Sequence, residues 1–303
     1  MNRKRSSFSQ VALVTGVAVL SFMLLSGCKS VEESVDGVNG GGAKEAVNSA
    51  AQALARAAEE GKKLTMQGND SDSLVLETSS PVGEFSGIVI DHEVGNIEIA
   101  ASADDQIRVS ARIYDLNSKS IGKSQENVFE QAAVSIQAEG RTEARIRVHA
   151  SDDEQKDLWD WARSKYKYSG FGVDYRIELP AAISSYKVSN NVGNMELTGL
   201  TGAFELKNEV GNVDLVSAGI AGASKISVST GSVELDVQSL ENKGKLAVDV
   251  ALGDIHATLG DTVDSSVDTK VELGEVSSSL NKSRMGKDGS ISLAVDVGNI
   301  DIN

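Results

Sequence analysis

The stretch Gly211-Asn-Val-Asp-Leu215 decides the fold of this chain, because variants of it return along the sequence. Each copy starts with a glycine, continues with Asn, Asp, Ser or Glu, and has an apolar residue two positions after the glycine. The last six copies are spaced 18, 20, 22, 21 and 24 residues apart, and a period near twenty residues with strand composition is typical of a β-solenoid. The seven copies begin at Gly95, Gly193, Gly211, Gly231, Gly253, Gly274 and Gly298.

Apolar residues flank each of these glycines in alternation. The positions five before, one before and two after the glycine are mostly Ile, Val, Leu or Met, as in Leu206, Val210 and Val213 around Gly211. Alternation places one set of side chains on one face of a strand, and the set stays inward only if the chain turns at the glycine. A series of hairpins in an antiparallel sandwich is the alternative, since such turns also favour Gly-Asn.

The position three before the glycine is mixed in character. It holds His92, Asn190 and Asn208 in the first three copies and valine in the other four. If this position points inward, the two asparagine amides are buried and need hydrogen-bond partners. We expect Asn190 and Asn208 to stack on neighbouring coils and to bond each other.

The repeated Gly-Asn/Asp-Ile/Val phrase, preceded by Tyr175-Arg-Ile-Glu-Leu-Pro180 and an Ala/Ser-rich turn, resembles the bacterial putative-adhesin β-solenoid family of envelope proteins. The resemblance covers about residues 74–303 and is strongest over 173–303. It implies an exported or membrane-tethered protein without an established enzymatic activity. We therefore predict an all-β fold, a right-handed single-stranded β-helix-like solenoid with coils of about 20 residues.

The first 28 residues read as a secretory leader. A basic start at residues 3–5 precedes an apolar run near residues 11–25 and then Leu25-Ser-Gly-Cys28. These last four residues resemble the bacterial lipobox, which implies that Cys28 is lipidated and becomes the first residue of the mature chain. The alternative is an uncleaved single-pass anchor, but the apolar run falls short of the roughly 20 residues that a span needs.

The segment after Cys28 is predicted to be a tether. Residues 29–42 are rich in Ser, Glu and Gly and read as flexible linker, and Ala-rich residues 43–61 predict a short helix. The predicted organisation is thus a signal peptide at 1–27, a lipidated linker with a helix at 28–72, and the β domain at 73–303. Lys29 does not match the Asp that retains lipoproteins in an inner membrane, so we expect the extracytoplasmic face of a membrane, and the outer membrane where one exists.

Charge narrows the classes of partner. The chain has a net charge of −15, and removal of residues 1–27 takes away three basic residues and no acidic one, which gives −18. So acidic a chain is not expected to bind nucleic acid. Its single cysteine allows no internal disulfide. The expected partners are the membrane, through the lipid, and an unidentified envelope protein or glycan.

Residues 152–172 interrupt the repeats and concentrate the aromatic side chains. They contain both tryptophans, and a helix is predicted with acids at its start and bases at its end. One reading makes the tryptophans core residues of a cap. The other makes them an exposed platform for sugar or peptide. The candidate binding residues under that second reading are Trp159, Trp161, Tyr166 and Tyr168, with Phe171 beside them.

An acidic residue recurs three positions after the glycine, at Glu196, Asp214 and Glu234. Stacked repeats would align these carboxylates at about 4.8 Å on an outer face. A solvated face that aids solubility is one interpretation, and a weak Ca²⁺ site is the other. No cofactor is predicted.

Catalytic motifs are missing from the sequence. The three histidines, His92, His149 and His256, have no metal-ligand spacing, and no Gly-x-Ser-x-Gly motif or phosphate-binding glycine loop is present. We therefore expect a non-enzymatic envelope lipoprotein that serves adhesion or binds the cell wall or a protein partner. A carbohydrate-binding module and, third, a polysaccharide-active enzyme are the alternatives.

Overall fold

The structure, a computed structural model, describes residues 73–116, 123–241, 243–280 and 285–303. The predicted leader, the lipidated Cys28 and the predicted helix at 43–61 lie outside these residues, so they stay predictions. Within the described ranges, no helix is long and apolar enough to cross a membrane.

The first part of the described chain, residues 73–180, is called the cap region below. It contains eight strands and two helices. The strands are β1 (Ser73–Pro81), β2 (Gly87–Val94), β3 (Ile97–Ser102), β4 (Gln106–Asp115), β5 (Ala132–Glu139), β6 (Glu143–Ala150), β7 (Asp153–Asp157) and β8 (Phe171–Pro180), and the helices are α1 (Lys123–Glu130) and α2 (Leu158–Tyr166).

The second part, residues 185–303, is called the repeat region. It consists of pairs of strands that meet at the repeated glycines. The strands are β9 (Ser185–Val192), β10 (Met195–Thr198), β11 (Thr201–Val210), β12 (Val213–Ile220), β13 (Ala223–Thr230), β14 (Val233–Leu240), β15 (Lys245–Leu252), β16 (Ile255–Leu259), β17 (Ser265–Leu273), β18 (Val276–Ser278), β19 (Met285–Val297) and β20 (Ile300–Ile302).

Two sheets enclose one hydrophobic core. Sheet 1 is a mixed sheet of eleven strands and forms most of a nearly closed, barrel-like wall. Its strands follow the order β1-β4-β8-β3-β10-β12-β14-β16-β20-β18, with β11 joined to β12. Sheet 2 follows the order β5-β6-β2-β9-β11-β13-β15-β19-β17, with β7 on the end of β6. Because β11 belongs to both sheets, the wall is continuous there.

Strands one repeat apart pair in parallel and in register. The apolar residue after each glycine therefore meets its equivalent: Met195 pairs with Val213, Val213 with Val233, and Val233 with Ile255. These side chains are fully buried. Alternation along each strand thus points one row of apolar side chains into the core at every repeat.

The predicted right-handed single-stranded β-helix-like solenoid is wrong. The chain is a mostly-β protein whose larger sheet is mixed, since β4 runs antiparallel to both β1 and β8. In sheet 2, β5 and β7 also run antiparallel to β6. The repeats do not stack in chain order either, because β19 lies between β15 and β17. The glycine period is a local signal, and it carries no information about these long-range pairings.

The non-repeating strands are inserted between the first and second repeats. Gly95 and Gly193 are separated by the whole stretch from β3 to β9, yet β9 pairs with β2 and β10 pairs with β3. The chain therefore leaves the first repeat, builds β4 to β8 with the two helices, and returns to the same edges. These strands cover one end of the repeats, and β17 and β18 form the other end.

Candidate functional site

The seven repeated glycines form closely packed corners. Gly211 has φ +131°, and a Cβ added there would overlap the carbonyl oxygen of Gly193 in the repeat before it. The same overlap recurs at Gly193 against Gly95. An L side chain is therefore excluded on two grounds, backbone conformation and lack of space. This geometry gives a physical reason for glycine at these positions, and the predicted need for glycine there stays a prediction that substitution tests.

The polar residue that follows each glycine joins one repeat to the next. The Oδ1 atom of Asn194 accepts a hydrogen bond of 2.9 Å from the backbone N–H of Asn212, and Asn212 in turn accepts one of 3.0 Å from Ser232. Each side chain thus satisfies a main-chain donor at the neighbouring corner. Turn preference predicts a polar residue after each glycine. The ladder of hydrogen bonds between these residues forms only because the corners of adjacent repeats lie side by side. Its acceptors are Asp174, Asn96, Asn194, Asn212, Ser232, Asp254 and Asn299.

The position three before the glycine points inward, as the alternation requires. His92, Asn190 and Asn208 are all buried. The two amides do not bond each other, which corrects our expectation. Asn190 donates to the carbonyl oxygen of Gly95 at 3.1 Å, and Asn208 donates to that of Gly193 at 2.9 Å. The corner carbonyl, which turns inward, is thus the partner that these amides find.

The His92 ring lies among aromatic side chains. Its centroid is 5.1 Å from that of Trp159 and 5.1 Å from that of Tyr175. Burial lowers the pKa of His92 to about 3, because the charged imidazolium would lose its hydration. His92 is therefore neutral at physiological pH. His149 is also buried, and its Nδ1 lies 2.8 Å from the carbonyl oxygen of Ala150, whereas His256 is exposed on sheet 1.

Both tryptophans belong to the core. Trp159 is 2 % exposed, stacks on Phe171 at a centroid distance of 5.3 Å, and donates its indole N–H to the carbonyl oxygen of Phe171 at 3.2 Å. Trp161 is 4 % exposed and meets Tyr166 edge-on at 5.4 Å. The two indoles therefore offer no open face to a sugar. This burial corrects the exposed-platform reading and agrees with the reading that makes them core.

Helix α2 holds these indoles in place, and it forms where a helix was predicted. Asp157 caps its first turn by accepting from the backbone N–H of Asp160 at 2.8 Å. Lys165, near the end of the helix, lies 4.6 Å from the centre of the Trp161 ring and 2.9 Å from Asp152. The other two candidate residues, Tyr166 and Tyr168, are half-buried against the core. Burial raises the pKa of Tyr168 above its usual range.

The predicted acidic row exists on the outer face of sheet 1 and is called the acidic strip. Glu196 pairs in register with Asp214, and Asp214 pairs with Glu234. Glu98 extends the strip on one side and His256 on the other. At one end Arg176 forms an ion pair with Glu98 at 3.0 Å, and at the other end the Nδ1 atom of His256 lies 3.4 Å from a carboxylate oxygen of Asp301. Of the three middle residues, Glu196 and Glu234 are exposed to solvent and Asp214 is partly buried.

Sequence reasoning missed a second acidic group. Carboxylate oxygens of Glu93, Asp157 and Asp160 lie within 4.8 Å of one another beside a cleft of about 320 Å³. Arg163 pairs with Glu93 at 2.9 Å and with Asp160 at 3.2 Å, so one guanidinium offsets part of the negative charge of the group. Burial raises the pKa of Glu93. Glu93 stands two positions before the first corner, but nothing in the sequence signals that α2 packs against it.

Comparison by sequence gives no relative: no protein-family model matches the chain, and no curated protein matches it. Solved structures are similar. A putative cell adhesion protein from Clostridium sporogenes is 12 % identical with a TM-score of 0.43, and the match covers 76 % of this chain and 99 % of that one. A putative adhesin from Bacteroides fragilis is 16 % identical with a TM-score of 0.37, covering 76 % and 97 %. A putative lipid binding protein from Parabacteroides distasonis is 13 % identical with a TM-score of 0.23, covering 78 % and 98 %.

Proposed function

We propose that this chain is a non-enzymatic cell-envelope lipoprotein that presents its β domain to the cell wall, to another cell or to a protein partner. The leader that ends in Leu25-Ser-Gly-Cys28 carries the proposal. Two acyl chains on Cys28 anchor a protein stably where a single chain does not. The Gly-rich linker at 29–42 then lets the anchored domain sample different orientations above the membrane.

The acidic strip supports a basic partner. Glu196, Asp214 and Glu234 lie on adjacent strands, so their charges add over a short distance rather than being scattered. A cationic partner would be attracted to this row of carboxylates over about one Debye length. Sheet 2 differs at the equivalent outward positions, where Lys225 pairs with Asp249 at 3.5 Å and the charges are mixed. Sheet 1 is therefore the face that we assign to the partner.

A carbohydrate-binding module of the expected kind would need exposed aromatic faces. Trp159 and Trp161 are buried, so they do not provide such faces.

Membrane attachment is tested by replacing the acylated residue. Cys28→Ser should move the protein from the membrane fraction to the soluble extracytoplasmic fraction, because no thiol is left to acylate. Ser30→Ala, two residues away, is the matched control and should stay with the membrane. Retention of Cys28→Ser in the membrane fraction would show that the lipid-anchor proposal is wrong.

Partner binding is tested with the soluble Cys28→Ser chain and isolated cell walls of the producing bacterium. Glu196→Gln, Asp214→Asn and Glu234→Gln in one chain should weaken binding about tenfold at low salt. The control removes the same number of carboxylates from sheet 2, through Glu205→Gln, Glu209→Gln and Asp249→Asn, and should bind as before. An equal loss in both would mean that only net charge matters. Release of reducing or unsaturated sugar during the incubation would overturn the non-enzymatic assignment.

A further inference from the structure

The two ends of the repeat stack are built differently. At the first end, β8 pairs with β3, and β4 pairs antiparallel with the far side of β8. In the other sheet β6 pairs with β2, so the first repeat has a neighbouring strand in both sheets. At the other end, β17 pairs with β19 and β18 pairs with β20, and neither has a second partner among the described residues. This end, formed by β17 and β18, is called the open edge.

The open edge leaves core positions uncovered. The residue two after the glycine is 0 % exposed at the six other repeats, whereas Val276 at this edge is 46 % exposed. Val267 and Val271 of β17 share the inward face with buried Ile291 and Val295 of β19, yet both are only partly buried. The stack therefore ends with an apolar row and a set of strand backbone groups facing outward, which is a template for another strand.

The sequence of β17 is complementary to itself. A two-fold axis through Thr269 pairs two antiparallel copies over all nine residues from Ser265 to Leu273. Lys270 of each copy then lies opposite Asp268 of the other copy, which gives two pairs of opposite charges. In the same register Val267 lies opposite Val271, so apolar side chains meet on the inward face and opposite charges meet on the outward face.

Neighbouring registers fit less well. An axis through Asp268 or through Lys270 places like charges opposite each other. An axis through Val271 pairs Lys270 with Glu272 but aligns only five residues of the strand. A shift by one residue places inward side chains opposite outward ones. The register through Thr269 is therefore the one that uses the whole strand.

We infer that the open edge binds the open edge of a second copy of this chain, through antiparallel pairing of β17 with β17 about Thr269. Rotation about an axis normal to the sheet keeps the core face of each copy on the same side, so the two cores become continuous. Val276 at the same end would be covered in the same step. The partner is another copy rather than an unrelated strand because the charges match in both directions at once.

Charge exchange tests this inference by sedimentation of the Cys28→Ser chain, in which lipid cannot drive clustering. The unaltered edge should give a concentration-dependent dimer at about 100 µM or below. Lys270→Glu should weaken the dimer about tenfold or more, and so should Asp268→Lys. The double variant Asp268→Lys with Lys270→Asp should restore it, because each charge again faces its opposite. Lys225→Glu, an equal charge change away from the edge, should leave the dimer unchanged.

A cross-link tests the register itself. Cys28 is the only cysteine, so Thr269→Cys in the Cys28→Ser chain carries a single thiol. Opposed residues at a two-fold axis have Cα atoms within the range that a disulfide spans, so this variant should oxidise to a covalent dimer. Lys225→Cys should not. A monomer at every concentration, failure of the double charge exchange, or equal cross-linking of the two cysteine variants would each overturn the inference.

Discussion

The cap region and the repeat region cover the same hydrophobic core, but they are held together by different interactions. In the repeat region each repeat packs on and hydrogen-bonds to the adjacent repeat in the same way, through a corner glycine, an amide such as Asn208 and a ladder residue such as Asn212. In the cap region the contacts join segments that do not repeat: Trp159 of α2 stacks on Phe171 of β8 and touches His92 of β2. The repeats are thus held by backbone geometry, and the cap by large side chains.

The largest effect is expected where backbone geometry leaves no room, at Gly211→Val. The new Cβ overlaps the Gly193 carbonyl, and φ +131° is unfavourable for a β-branched residue. We expect a loss of more than about 5 kcal/mol in the free energy of unfolding, or failure to fold.

Gly222→Ala is the matched control for this change. Gly222 also has a positive φ, +76°, but no atom lies within 4 Å of its would-be Cβ. It should cost only about 1–2 kcal/mol, from conformational strain alone. Equal losses in denaturant titrations of the two variants would contradict the close-packed corner.

The second-largest loss of stability is expected in the cap region, for Trp159→Ala. The change removes the stack on Phe171 and leaves a cavity, which typically costs about 3–5 kcal/mol. The native tryptophan emission should be blue-shifted and resistant to iodide, because both indoles are buried. Emission like that of free indole, with easy quenching, would contradict the core assignment.

A pH-dependent effect separates the two regions, since His92 in the first repeat is replaced by Asn190 and Asn208 in the next two. Burial holds the pKa of His92 at about 3 in the folded chain, against about 6.5 when unfolded. The unfolded chain therefore takes up the proton first. The stabilisation is complete above about pH 6.5 and is lost as the pH falls toward 3.

His92→Asn should remove this dependence. Between about pH 4 and 6 the free energy of unfolding should change less steeply with pH, by about 1.4 kcal/mol per pH unit. Asn190→Ala, at the same position of the next repeat, serves as the control: it changes no titratable group, so the slope should stay the same. An unchanged slope in His92→Asn, measured by denaturant titration at several pH values, would show that His92 is not buried in its neutral form.

Much of the repeat region could be predicted from the sequence, because its determinants recur. The corner glycines, the inward position of Asn190 and Asn208, and the row formed by Glu196, Asp214 and Glu234 were all predicted. The partner of the buried amides was not, since Asn208 bonds a corner carbonyl whose position depends on the stacked corners. The helix around Trp161 was predicted, but sequence alone left open whether the indole faced the core or the solvent.

What the sequence determined by itself is the local pattern: where the chain turns, which side chains alternate inward, and where the repeats interrupt. These follow from conformational preference and hydrophobic alternation, which act over a few residues. The tertiary structure alone decided which strands pair. The antiparallel β4 and β8 beside β3, and β19 between β15 and β17, join residues far apart in the chain. Strand edges offer the same backbone groups to any partner, so only packing of the whole core selects among the possible pairings.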